Sequence, residues 1–156
     1  MKNYTSYDLI EWGKPFEKSQ HALPEPTLSE VLIRVTAAGL CHSDLHVQKG
    51  YMDLGEEGRL TFAERGAQLP MTFGHEIAGI VEAVGDKVKN VSIGQQVLVF
   101  PWIGCGDCLA CNENRESDCS AMRIIGLKQK GGFATHCLIE NEKFLVDIDG
   151  LEAAEV

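Results

Sequence analysis

The sequence predicts a mostly β domain. Short apolar runs recur at irregular intervals along the 156 residues, punctuated by sixteen glycines, with no internal repeat and no low-complexity segment. Two of those runs carry opposite strand signatures. One alternates apolar with polar and the other is almost continuously apolar, the patterns of a half-buried and a fully buried strand. With 44% apolar residues the chain has material for one core, which at this length buries roughly 70% of the unfolded surface. A single domain is therefore expected.

Taken in order, Leu23-Pro24-Glu25-Pro26 is too rich in proline for a helix or a central strand and is expected to wrap the surface. Residues 31 to 36 set Val31, Ile33 and Val35 against Leu32, Arg34 and Thr36, a strand that Gly39 ends. The stretch from Tyr51 to Pro70 is charged, holds Gly55, Gly58 and Gly66, and shows no sustained period. It reads as a long surface loop with room for one turn of helix. Ile77 to Val84 carries a single charge, Glu82, between Gly74 and Gly85, and reads as a strand buried on both faces. Gln96 to Phe100 stops at Pro101, and Phe133 to Ile139 alternates again. The final residues, Leu151 to Val156, are helix formers without a stop signal, so the ending reads as cut rather than finished.

Fourteen Lys and Arg against 23 Asp and Glu leave a net charge of −9. That field repels phosphate backbones and anionic lipid, so neither nucleic acid nor membrane is an expected partner. Met1 to Trp12 lacks the apolar core of an export signal, and no apolar stretch approaches the ~18 residues of a membrane helix. A soluble, cytoplasmic protein is expected. In a reducing compartment its six cysteines serve as metal ligands or core thiols rather than disulfides.

Cys105, Cys108, Cys111 and Cys119 form a C-x2-C-x2-C-x7-C array. Four thiolates this close can converge on one ion, and a structural zinc ion takes four tetrahedral sulfurs at about 2.3 Å. Gly104 and Gly106 would let the backbone fold tightly around it. Iron–sulfur sites also use four thiolates, but their common spacings differ from this one. Such a site is closed to substrate, which places any catalysis elsewhere.

A second constellation is more mixed. Cys41, His42, Ser43, Asp44 and His46 fall within six residues, and His75-Glu76 stands between Gly74 and Gly79. His75-Glu76 opens like a zinc-protease helix motif, but Gly79 occupies the place of that motif's second histidine, so the protease reading fails. Singly, a cysteine is most often a small buried hydrophobe and a histidine a satisfied one. Together with the flanking glycines, the group reads as a Cys/His metal site with polar neighbours. Cys137, on an apolar strand face, reads as a core thiol, and His21 and His136 carry no functional reading.

The order Gly39-Leu40-Cys41-His42-Ser43-Asp44, then Gly74-His75-Glu76-x2-Gly79-x5-Gly85, then the four cysteines resembles the zinc-dependent medium-chain alcohol dehydrogenase family. The likeness runs over essentially the whole chain, including an opening strand, the Val31 to Gly39 strand and Gly94-Gln95-Gln96-Val97. It implies a GroES-like irregular β-barrel with short helices and a zinc-binding lobe at about 101–123. Residues 1–150 would be the catalytic domain and 151–156 the start of a connection to a Rossmann α/β domain. No G-x-G-x-x-G occurs in these residues, consistent with that second domain lying outside them.

By the same resemblance, Cys41 and His75 match ligands of a catalytic zinc, Glu76 a carboxylate that can approach it, and a third ligand lies past Val156. Asp44 matches the residue that orients the imidazole of His75. Ser43 matches the hydroxyl that meets the substrate oxygen, His46 the outer end of a proton relay, His42 a contact to the cofactor pyrophosphate, and Trp102 a wall of the alcohol pocket. The implied cofactors are one structural and one catalytic zinc, with NAD or NADP held mainly by the other domain. The implied activity is oxidation of a primary or secondary alcohol to aldehyde or ketone, by zinc-alkoxide formation and hydride transfer, in a homodimer or homotetramer. A polyol or threonine dehydrogenase shares this logic. A non-enzymatic zinc module would account for the four cysteines but leave the Cys41 and His75 groups unexplained.

Overall fold

The computed structural model describes residues 2–153. Its strands are β1 (Asn3–Leu9), β2 (Glu17–Ala22), β3 (Val31–Gly39), β4 (Tyr51–Asp53), β5 (Arg59–Thr61), β6 (Met71–Thr72), β7 (Glu76–Val84), β8 (Gln96–Val99), β9 (Trp102–Ile103), β10 (Arg123–Ile124), β11 (His136–Ile139) and β12 (Leu145–Asp147). Two short α-helices interrupt them, α1 (His42–Lys49) and α2 (Leu109–Asn112). The mostly β architecture expected from the glycine-cut apolar runs is the one observed. No helix among the described residues is long and apolar enough to cross a membrane.

The β-branched runs build the frame. Strands β11-β3-β7-β8-β12 pair antiparallel into a five-stranded sheet whose central members are the two runs with the plainest sequence signatures. Val31, Ile33, Ile77, Val81, Val97, Val99 and Ile139 of this sheet are all at most 2% exposed and pack with Phe144 and Cys137 into one core. Burial pushes the Cys137 thiol up to about 12, so it stays a protonated core group.

Strand β3 carries register shifts between Leu32 and Ile33 and between Val35 and Ala37, and such bulges bend a strand and re-aim the chain beyond it. Register then places the chemistry. Gly39, the last residue of β3, sits opposite Glu76, the first of β7. The segment leaving β3 and the segment entering β7 therefore meet at one sheet end, which brings Cys41 beside His75.

A second sheet, β2-β1-β6, has an inward face that is partly polar. Alternation along β1 buries Tyr4, Ser6 and Asp8, and a buried carboxylate needs partners. Asp8 accepts a 2.6 Å hydrogen bond from the Thr72 hydroxyl and lies 3.2 Å from His21 Nε2. Burial raises its pKa, but hydrogen bonds from Thr72, Ser19, Ser6 and His21 outweigh burial and hold the carboxyl below its ordinary 3.8. A group depressed in this way adds stability in full above pH 3.8, and that stability is lost as pH falls through the lower folded value. Asp8→Ala is thus expected to cost about 1–3 kcal/mol at neutral pH, the penalty of stranding buried partners. It should also flatten the acid limb of stability in urea unfolding measured from pH 7 to 2.

Three stretches differ from the sequence reading. Between Tyr51 and Pro70 the chain forms a hairpin, β4 paired with β5, around a single 3-10 turn at Gly55–Glu57. Its strands are three residues each, too short to show a period, and Arg59 stacks 4.3 Å over the Tyr51 ring. Residues 133–135 are bent at Phe133 and Thr135, bridge β1 only at Ala134, and are shared between sheets. Phe133 accepts from the Tyr7 N–H, Thr135 donates to the Thr5 carbonyl, and Val35 donates to the Thr135 carbonyl. The regular strand therefore begins only at His136. Residues 151–153 form a bend and turn, and the helix-forming tail at 154–156 lies outside the described residues.

Candidate functional site

Helix α1 begins at once after Cys41, and its first turn explains the clustered residues. Asp44, 3% exposed, reaches back to accept the Cys41 backbone N–H at 3.0 Å, which fixes the start of the helix. Its other oxygen lies 3.4 Å from His75 Nδ1. This carboxylate raises the His75 imidazole to about 9, with Cys41 adding to the effect against burial. With Nδ1 turned to Asp44, Nε2 faces Ser43, whose hydroxyl is 3.3 Å away and also donates to Cys41 Sγ at 3.1 Å. The Ser43 hydroxyl and then its N–H hold the Cys41 thiol below its ordinary value.

Ligand atoms of Cys41, His75 and Glu76 lie within 4.8 Å of one another. A thiolate, an imidazole and a carboxylate so gathered suit zinc by both softness and count, with room left for a fourth ligand. Gly39 is part of this arrangement: a Cβ there would strike the Glu76 carboxylate. The bare backbone lets that side chain fold over the strand end toward Cys41.

Ser43 and His75 open onto a cavity of about 240 Å³. Apart from this polar corner, its walls are Val47, Met52, Phe62, Trp102, Ile124 and Leu127. Trp102 is 39% exposed and stands at the cavity edge beside Phe100, with ring centroids 5.3 Å apart. The arrangement can hold a small molecule with one oxygen at the Ser43 end and an apolar body along the walls.

The four-cysteine array closes on itself. Cys105 and Cys111 sulfurs are 3.9 Å apart, Cys108 and Cys111 3.4 Å, and all four lie within 4.8 Å. A tetrahedron with 2.3 Å metal–sulfur bonds has edges of about 3.8 Å, so the spacing fits. Backbone N–H groups of Asp107 and Cys108 lead in pulling the Cys105 thiol down to about 6, as a thiolate ligand requires. Gly104 makes the close approach: a Cβ would strike Cys111 Sγ and come within 2.9 Å of Glu116 Cγ. Glu116, 8% exposed, accepts from Lys143 at 2.5 Å, and Arg123 reaches Glu140 at 2.6 Å. These two pairs tie the lobe to the barrel.

The fold thus gathers Cys41, Ser43, Asp44, His75, Glu76 and Trp102 at one place and Cys105, Cys108, Cys111 and Cys119 at another. His46 is not hydrogen-bonded to Ser43 among the described residues. It faces His42 one helical turn back, with ring centroids 4.8 Å apart, and His42 is exposed at the start of α1. His21 and His136 pair with Asp8 and Glu82, as satisfied histidines do. Sequence reasoning missed Val47, Met52, Phe62, Ile124 and Leu127, because apolar residues carry no chemical motif. It missed Glu116 as well, although a carboxylate inside the cysteine array was a visible signal.

A family model described as the alcohol dehydrogenase GroES-like domain matches residues 27–150. The chain is 40% identical over 148 residues to the NAD-dependent alcohol dehydrogenase of Sulfurisphaera tokodaii, covering 94% of this chain and 41% of that protein. It is 33% identical over 147 residues to the D-arabinose 1-dehydrogenase (NADP(+)) of Saccharolobus solfataricus, covering 94% and 39%. Among solved structures, the D-arabinose dehydrogenase from Sulfolobus solfataricus matches with a TM-score of 0.80 at 30% identity, over 98% of this chain and 42% of that one. The alcohol dehydrogenase from Aeropyrum pernix matches with a TM-score of 0.79 at 26% identity, over 97% and 42%. The chain spans about two-fifths of the length of these relatives.

Proposed function

This chain belongs to the alcohol dehydrogenase GroES-like domain family, and we propose that it is the zinc-holding, substrate-binding domain of an NAD(P)-linked dehydrogenase of small alcohols. The observation that carries this reading is the convergence of Cys41, His75 and Glu76 beside Ser43 at the polar end of an otherwise apolar cavity. Zinc bound there would supply Lewis acidity at the substrate oxygen, lowering the pKa of its hydroxyl.

Every other part falls to this chain's own side chains. Cys41 and His75 hold the metal, with Glu76 near enough to join them. Asp44 is a positioning residue that fixes the tautomer and orientation of His75. Ser43, with its hydroxyl between Cys41 Sγ and His75 Nε2, would accept a hydrogen bond from the substrate hydroxyl and release its own proton as it takes the substrate's. The proton that Ser43 gives up would leave by way of His46, half-buried in the middle of α1. His42, exposed at the first turn of α1, would meet the phosphates of a nicotinamide cofactor, an anion favoured at a helix N-terminus. Trp102 and the apolar walls orient the carbon skeleton and exclude water. The nicotinamide that takes the hydride would be held by a separate cofactor domain. In the second site, Cys105, Cys108, Cys111 and Cys119 hold a zinc that serves the fold alone.

Elemental analysis tests the assignment of the two sites. Cys105→Ser is expected to lose one zinc and Cys41→Ser a different one, with only Cys41→Ser sparing the lobe. In the enzyme complete with its cofactor domain, Cys41→Ser should abolish alcohol oxidation. Undiminished turnover by Cys41→Ser, or zinc content unchanged by either substitution, would refute the reading.

A further inference from the structure

The chain has five histidines, and three of them are paired with carboxylates: His21 with Asp8, His75 with Asp44 and His136 with Glu82. The other two, His42 and His46, make no hydrogen bond or ion pair among the described residues. They face each other across one turn of α1, with ring centroids 4.8 Å apart. A spacing of four residues sets two side chains on one face of a helix, one above the other. Two imidazoles bound to a single ion at about 2.0–2.1 Å keep their centroids about 4.5–5.2 Å apart, for bond angles between octahedral and tetrahedral. The observed separation already falls in that window.

The helix that carries the pair is held at both ends. Asp44 accepts the Cys41 N–H at its start, and Gly50 closes it in the left-handed conformation, at φ 87°. Gln48 accepts from the Gly13 N–H at 2.7 Å and donates from its amide to the Lys14 carbonyl at 2.8 Å. Binding therefore orders two side chains and rebuilds no backbone. His42 is exposed and His46 half-buried, so an ion reaches the pair from solvent, and a net charge of −9 favours the approach of cations.

From this geometry we infer that His42 and His46 form a third metal site, a two-imidazole chelate for a divalent late transition-metal ion with water in the remaining positions. Imidazole suits Zn2+, Ni2+ and Cu2+, whereas Mg2+ and Ca2+ take oxygen ligands. Neither histidine belongs to the Cys41, His75 and Glu76 group or to the cysteine array. Occupation of the pair is inhibitory. A relay histidine accepts a proton at one ring nitrogen and gives one up at the other, and a metal on either nitrogen ends that passage. This consequence rests on the proposed role of His46 as the proton exit; the chelate itself does not. An enzyme that needs zinc at two sites is thus slowed by zinc in excess.

The test titrates Zn2+ into the zinc-loaded chain and follows the imidazole nitrogen resonances of His42 and His46 by NMR, each identified by its absence in the corresponding alanine variant. Both rings should shift together over one added equivalent, independently of His75. In His42→Ala and in His46→Ala the remaining ring should need on the order of tenfold more zinc, because one imidazole has no chelate partner. Leu45 is 46% exposed, and Leu45→His added to His46→Ala restores a pair three residues apart. That double variant should recover most of the lost affinity, which a change in packing alone would not do. In the enzyme complete with its cofactor domain, the same zinc concentration should slow proton release in a single turnover of alcohol oxidation several-fold, reversibly on dialysis. Rings that shift at separate zinc concentrations, or single variants that bind as tightly as the wild type, would overturn the chelate. Zinc bound at the pair with proton release unchanged would overturn the inhibition and the relay role of His46 together, leaving the Cys41 and His75 assignment untouched.

Discussion

Cys111→Ser is expected to empty the lobe of zinc and unfold it. Its sulfur lies 3.4 Å from that of Cys108 and 3.9 Å from that of Cys105, and a hydroxyl is a harder, neutral donor that zinc does not favour in such a site. Folding of structural zinc sites draws on an apparent binding free energy of about 10–16 kcal/mol, far above the stability of a surface excursion whose α-helix has four residues. Chelator treatment of the wild type should therefore reproduce the variant. Gly104→Ala should do so in part without touching a ligand, because the added methyl takes the space of Cys111 Sγ. Zinc content and protease susceptibility across residues 104–123, compared among the three preparations, check this. A lobe that stays protected in Cys111→Ser would show that packing alone holds it.

Asp44→Asn is expected to weaken metal binding at the Cys41–His75 site by about 10–100-fold, the usual cost of losing the group behind a metal-bound imidazole. One oxygen of Asp44 is committed to the Cys41 N–H at 3.0 Å and the other faces His75 Nδ1 at 3.4 Å. Only a carboxylate can accept on both sides at once; an amide must present its NH2 to one of two donors. The effect should appear in zinc affinity measured against a competing chelator, with the cysteine lobe unaffected. Equal affinities would mean that α1, not Asp44, orients the histidine.

Ligand chemistry was legible in the sequence because cysteine and histidine are scarce and their spacing carries meaning without a fold. Strands β3 and β7 were legible for a related reason: β-branched runs between glycines have few other uses. Helix α1 was not, because only Asp44 and Val47 of its eight residues are buried, too few to mark a face. Phe62, Ile124 and Leu127 come from a hairpin and from the far side of the cysteine lobe, and nothing in their local sequence says that they meet. The segment at 133–135 alternated as a strand should, but its hydrogen bonds divide between Thr5, Tyr7 and Val35, and only the assembled fold decides that division.

That divided segment also orders events in time. Ser43 meets His75 across 32 positions, a loop closed by the β3–β7 pairing. Thr5 meets Thr135 across 130, and such distant pairings form late because the chain's freedom must be surrendered before any contact repays it. Cys41 and His75 are thus expected to meet on a half-built barrel, so that a folding chain would offer a soft thiol and an imidazole to metal before the walls that later confine them have closed.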